Sequence, residues 1–405
     1  MPKPYDNIIQ FKNYKHSLKV PFTIYADFEC MLQKIQTCQP SDETSYTNAY
    51  QKHVPNKFVY HIKYSNGNYK SPVEYSGVDA PKVFYQNVKE DALHIAKEFY
   101  DKVVPMKPLT EQEKKEFKTQ KNCHICERSL NTLSPLLVKK LVTTKTAIKY
   151  YECLGDEKSV NHHTGILKET EKKKKKRTKK RKVTGHDHLT GQFRGAAHSF
   201  CNLTYKNPRF IPNIFHNLAG YDAHLFIKDF GEDKQHIKLI PSTEKKYITF
   251  SKILKYDSTN TIELRFVDLF KFLSSSLDKL TKNLGKDQFK ELFKYFLKEH
   301  LNLITRKLAY PYKYMDPPEK FKEPCLPPIE EFYSSLNKEN VNEKEYQNAQ
   351  EIWNKFNIKD LLEFRQLNNK IHVFLLADIM ENFRDISLKT YKLDLAWYFT
   401  TTGFA

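Results

Sequence analysis

Short runs of apolar residues alternate with longer stretches of mixed periodicity along this chain. Val20–Tyr25 is the first such run, followed by Ala26-Asp27-Phe28-Glu29-Cys30. Its length and its Ile and aromatic content predict a buried strand that ends at the two acids. Phe58–Tyr64 and Tyr69–Tyr75 flank Asn66-Gly67-Asn68, which predicts a hairpin turning on Asn-Gly. Val83–Val104 carries apolar residues at helical spacing. Ile211–Phe215 predicts another buried strand and Asp222–Phe230 the start of a helix. Ile237–Ile240, Tyr247–Leu254 and Thr261–Val267 predict further strands. From Phe289 the pattern is helical, broken by a proline-rich stretch at Pro311–Pro328. Glu343–Phe356 and Ile358–Phe383 are the strongest helices. Strands alternating with helices, then helices alone, predict an α/β or α+β core.

Between Gln120 and Tyr205 the composition changes. This segment holds a C-x2-C, the run Lys172–Lys182 (KKKKKRTKKRK) and a cluster of His, Asp and Gly, and it reads as an insertion in the main domain. The chain carries 67 Lys and Arg against 48 Asp and Glu, a formal charge of +19. That balance favours a polyanion as partner, nucleic acid first. The Lys run reads either as a solvated loop or as a nuclear-import or phosphate-binding arm. No apolar run has the length of a membrane span and the polar N-terminus has no signal-peptide core, which predicts an intracellular protein with no membrane partner. Seven cysteines without a secretion signal argue against a disulfide framework.

Asp27 and Glu29 stand two apart on a predicted strand, so both carboxylates project from one face and can meet at a metal. Taken singly, such a pair is commonly two solvated charges. His216-Asn217-Leu218-Ala219-Gly220-Tyr221-Asp222 follows a second buried strand, Ser274–Leu280 (SSSLDKL) comes later, and His372–Asp378 (HVFLLAD) lies in the last long helix.

In this order the pieces resemble the exonuclease motifs of family B DNA polymerases. Asp27-x-Glu29 resembles the first motif and Asn217-x3-Tyr221-Asp222 the second. Ser276-Leu277-x2-Leu280 resembles the element with which protein-primed members hold a single-stranded 3′ end. The wording of YADFEC, FHNLAGYDAHLF, FKFLSSSLDKL, LPPIEEFYSSLN and FLLADIMENFR is similar to polymerases of Polinton or Maverick transposons, over Pro21 to Gly403. The resemblance implies a ribonuclease H-like 3′–5′ exonuclease fold. Asp27, Glu29 and Asp222 would hold Mg²⁺ or Mn²⁺, and His216, Asn217, Tyr221, Ser276 and Leu277 would position DNA. The third motif, Tyr-x3-Asp in the family, falls on Asn368 and His372. Asp378, six residues further, points about 240° away on the helix. A histidine there removes a negative charge and favours softer ions, so the expected exonuclease activity is weakened or lost. The family's palm would follow from about Tyr398, so no polymerase active site is expected within these residues, which read as part of a longer product or as a truncated relic.

Cys123-x2-Cys126 and His198-x2-Cys201 form two short ligand pairs with the spacing of a structural Zn²⁺ site; free thiols are the alternative. His186 to Asn202 resembles the HNH-like zinc module of recombination endonuclease VII, which implies a treble-clef fold with His186 and Asn202 at its active site. The family's aspartate falls on Gly185. The expected organisation is an exonuclease domain in two parts, 1–119 and 206–310, interrupted by the zinc module 120–205 with its Lys-rich loop 168–182 and followed by a helical segment 311–405. The expected partners are DNA with a single-stranded 3′ end, a terminal priming protein and the remaining polymerase domains. The expected location is nuclear. The alternatives are a catalytically degenerate nucleic-acid-binding protein and an HNH-type endonuclease.

Overall fold

A computed structural model describes residues 13–34, 51–65, 67–131, 161–164, 166–168, 182–243, 246–315, 318–333 and 340–405. Asn66 of the expected hairpin turn and residues 172–181 of the lysine run lie outside them. The chain divides into two compact units, one of residues 1–19 and 97–208, the other of residues 20–96 and 209–405.

The larger unit is built on a seven-stranded mixed sheet with helices, an α/β arrangement. In chain order its strands are β1 (Phe22–Lys34), β2 (Gln51–Tyr64) and β3 (Val73–Ser76). The hairpin β4 (Lys182–His186) and β5 (Phe193–His198) belongs to the other unit. The sheet resumes with β6 (Phe210–Phe215), β7 (Ile237–Thr243), β8 (Lys246–Lys255) and β9 (Thr261–Asp268). Their spatial order is β3-β2-β1-β6-β9-β8-β7. β1, β6 and β9 run parallel at the centre, and the outer pairs are antiparallel.

The period of two along β1 sorts its side chains onto two layers. Phe28 faces an aromatic cluster in which Phe84 of the helix Ala80–Ile95 approaches it at 5.0 Å, and Phe226 stacks on it at 5.2 Å. Tyr25 faces the opposite way, toward the helix Leu361–Tyr391, where its hydroxyl donates to Glu381 at 2.6 Å. Asp27 and Glu29 have the parity of Tyr25, and they too face that helix.

The helix Leu361–Tyr391 has 31 residues, and Asp360 caps its start by accepting the Glu363 amide at 2.9 Å. Near its end Arg384 is buried together with its counter-ions. It bonds Glu381 and Asp394, and its Nη2 donates to the Val20 carbonyl at 2.8 Å. Asp394 accepts the Val20 amide at 2.6 Å in return. This network fastens the start of β1 to the helix and to the turn that follows it.

Several expected boundaries move. β1 does not end at the acids. It continues to Lys34 because a bulge after Glu29 accommodates Asn56 in β2 and lets antiparallel pairing go on. The partner of β2 begins at Val73 rather than Tyr69, so the connection is longer than a tight Asn-Gly turn. The helix expected over Val83–Val104 is regular over Ala80–Ile95, and the stretch from Asp222 is helical only to Phe226. The last long helix runs eight residues past Phe383, to Tyr391. Residues 311–405 share the compact unit with the sheet, since that helix covers β1 and β2.

The smaller unit reaches back to Lys97, beyond the 120–205 segment expected. The helix Glu111–Thr119 sets Phe117 against Phe193 of β5, and Lys182 Nζ donates to the Lys118 and Gln120 carbonyls. Among the described residues no helix is long and apolar enough to cross a membrane.

Candidate metal centres

Among the described residues two groups of side chains could hold a metal ion, one in each unit. In the larger unit β1 pairs with β6 only at Ile24 and Tyr25, so beyond Tyr25 the two strands have parted. Asp27 and Glu29 lie just past that point, where a parallel sheet leaves a crevice at its strand ends. Across it, the long helix presents Asn368, Asn369 and His372. Ligand atoms of Asp27, Glu29 and His372 lie within 4.8 Å of one another. His372 Nδ1 is 3.5 Å from Asp27 Oδ2, its side chain only 11% exposed. Asn369 donates to the same carboxylate oxygen at 2.8 Å, and Asn368 Nδ2 lies 3.5 Å from Glu29.

Asp222 opens the short helix after β6 and is 3% exposed, with Oδ1 lacking a hydrogen-bond partner. Burial, then the nearby charge of Asp27, pushes its carboxyl well above the ordinary range, against the Phe28 amide that bonds it. It does not join the set within 4.8 Å. Burial and the Asp27 charge also raise Glu29, while Arg365, His372 and Lys307 pull it back. Arg365 in turn holds the bulged Asn56 at 2.6 Å. Such an arrangement concentrates negative charge and orphaned oxygen where a cation would relieve both.

The loop between β6 and Asp222 is held by Asp268, which the sequence did not single out. Its carboxylate accepts the amides of Asn217 at 2.9 Å, Ala219 at 3.1 Å and Phe270 at 3.0 Å. Asn217 takes a left-handed conformation, φ 66°, and a Cβ on Gly220 would come within 2.3 Å of its side chain. His216 is mostly buried beside Phe270 at 5.8 Å, and burial lowers its pKa. Tyr221 turns to other partners: its hydroxyl meets His53 Nδ1 at 2.7 Å and the thiol of Cys30. Ser276 accepts the Lys279 amide as an N-cap, at a long 3.4 Å, and Leu277 is buried in the core. Asp378 caps a helix: it accepts the Glu291 amide at 2.7 Å and the Leu292 amide at 3.1 Å, so it has no place in the cluster.

In the smaller unit Cys123, Cys126, His198 and Cys201 are all buried and their ligand atoms lie within 4.8 Å of one another. A tight turn sets the first pair: Cys123 N donates to Arg128 O and Glu127, at φ 57°, donates to Cys123 O. His198 ends β5, and Cys201 sits in the helix Ser199–Thr204 that follows. His198 Nε2 lies 3.1 Å from the Ser129 carbonyl, which leaves Nδ1 to face the sulfurs. That nitrogen is 3.4 Å from Cys126 Sγ and 3.8 Å from Cys201 Sγ. A tetrahedral ion with bonds near 2.3 Å has ligand–ligand edges of about 3.8 Å. The four side chains can therefore hold a metal ion. The three thiols share their contacts unequally: hydrogen bonds from Cys126 and Cys201 hold Cys123 well below its usual range, and the same contacts push Cys126 and Cys201 above theirs.

No family model, curated protein or solved structure matches this chain. Geometry alone must then speak for the remaining residues. His186 lies 4.9 Å from the ring of His188. Asn202 approaches Gly185, where an added Cβ would come within 2.8 Å of His124 Nε2 and 3.1 Å of Asn202 Oδ1. The imidazole of His124 thus occupies space that a carboxylate at position 185 would need.

Proposed function

We propose that this chain is the exonuclease-bearing part of a protein-primed family B DNA polymerase, with a ribonuclease H-like core that receives a single-stranded 3′ end. The observation that carries this reading is the convergence of three distant segments. Asp27 and Glu29 from β1, Asp222 from the turn after β6 and His372 from the long helix close on one crevice. Their order along the chain is that of the family's motifs.

In this reading Asp27, Glu29 and His372 would hold a divalent ion. When bound, such an ion supplies charge that polarises a phosphodiester. Asp222 stands beside Asp27, where the positive charge of a bound ion would favour its ionised form. The loop fixed by Asp268 presents Asn217 and His216 to the nucleotide. The exposed Phe270 ring beside His216 offers a stacking face for a base. The charge of +19 supplies the attraction to phosphate.

The smaller unit serves as a zinc clasp of treble-clef type, with Zn²⁺ the ion its three thiolates and one imidazole favour. The endonuclease alternative loses ground on one observation, the crowding of position 185 by His124.

The test is degradation of a 3′-labelled single-stranded oligonucleotide with Mg²⁺ or Mn²⁺, wild type beside Asp27→Ala. The reading expects slow, metal-dependent release from the 3′ end that the variant lacks. Equal release by both proteins, or cleavage at internal positions, would overturn it.

A further inference from the structure

The crevice mixes oxygen and nitrogen donors, and this decides which ion it takes. We propose that Asp27, Glu29 and His372 form a one-ion centre that selects a divalent transition metal of the Mn²⁺ to Zn²⁺ series over Mg²⁺. The proposal rests on reading this cluster as a metal centre, although not on any nuclease activity.

Three features carry it. First, the ligand set within 4.8 Å is two carboxylates and one imidazole. Mg²⁺ is a hard ion that keeps several waters and favours oxygen, whereas imidazole suits the later first-row ions. Second, Asp222, the further carboxylate that could recruit a second ion, lies outside the set. Third, the surroundings carry unused polar atoms on fully enclosed side chains. Asn368 and Asn369 are each 0% exposed, and each has a side-chain oxygen without a partner while its amide nitrogen faces Glu29 or Asp27. The buried Oδ1 of Asp222 and Nε2 of His372 are unpartnered as well. Buried polar atoms are rarely left unsatisfied, and several around one ligand set point to a missing polar guest. Arg365, held on Asn56, and the ammonium of Lys307 offset part of the charge of Glu29, which leaves the cluster too little negative charge for a second ion. A single ion therefore suffices.

The experiment uses the full chain loaded with a single equivalent of Zn²⁺ and freed of excess, so that the thiolate site is filled and the carboxylate–imidazole site is open; Mn²⁺ does not displace Zn²⁺ from thiolates. Mn²⁺ is titrated and followed by electron paramagnetic resonance, with nitrogen couplings read by pulsed methods. The expected result is one Mn²⁺ per chain, an imidazole nitrogen coupling, and little displacement by a hundredfold excess of Mg²⁺. His372→Asp should lose the coupling and let Mg²⁺ compete, while His372→Ala should weaken Mn²⁺ about tenfold or more. Circular dichroism of both variants checks that they fold. Absence of the nitrogen coupling, ready displacement by Mg²⁺, a spin-coupled pair of ions, or no bound Mn²⁺ would overturn the proposal. None of these readouts involves DNA, so failure to degrade an oligonucleotide would count against the proposed function and leave the metal result standing.

Discussion

Asp268 carries more of the candidate site than its sequence context suggests. A carboxylate at the end of a strand is ordinary; its amide partners at 217 and 219 are brought to it by the parallel pairing of β6 with β9, while that at 270 is a local cap contact. Asp268→Ala removes the acceptor of three part-buried amides and should cost about 1–3 kcal/mol in chemical denaturation. Single-strand binding should fall further than stability does, because Asn217 loses its left-handed geometry. Asp27 and Glu29 were legible from sequence because residues two apart on a strand share a face, and Asp222 because it follows a buried strand and a glycine turn. The partners Asn369, Arg365 and His53 were not, since contacts across hundreds of residues leave no local periodicity. The choice of His372 from a misfit to the third motif does place a residue in the cluster, where Asp378 is instead absorbed by helix capping.

At the scale of elements, the long helix is the support on which the crevice depends. Its buried Arg384 bonds two carboxylates and the Val20 carbonyl. Arg384→Leu leaves Glu381 and Asp394 as uncompensated buried charges, and a loss of about 3–5 kcal/mol in urea unfolding is expected. Asp378 on the same helix gives a pH dependence. Burial raises its carboxyl from 3.8 to about 7, although the Glu291 and Leu292 amides oppose this. The folded chain then keeps a proton that the unfolded chain releases, so this group's contribution to stability declines as pH rises from about 4 to about 7. Asp378→Asn should flatten that slope in melting temperature against pH; an unchanged slope would assign it elsewhere. The central strands were readable as short apolar runs, and the late helices from a period of 3.6. The run of β1 past its acids was not, because it depends on a bulge in a partner strand.

For the whole molecule, each of the two compact units carries a group of side chains that could hold a metal ion. Stripping Zn²⁺ from the proposed thiolate site with a strong chelator should unfold the smaller unit, because a structural zinc site contributes its binding energy to folding. Limited proteolysis would then cut within residues 97–208 and spare the sheet unit. The composition made a polyanion the expected partner, yet charge does not distinguish an end from an interior or one strand from two. The most direct measurement is therefore binding of a linear single strand with a free 3′ end against a circular single strand of equal length, by fluorescence competition in Mn²⁺. The account predicts clear preference for the linear strand, lost in Asp27→Ala and in Asn217→Ala. Equal affinity for both strands, unchanged in the variants, would contradict it.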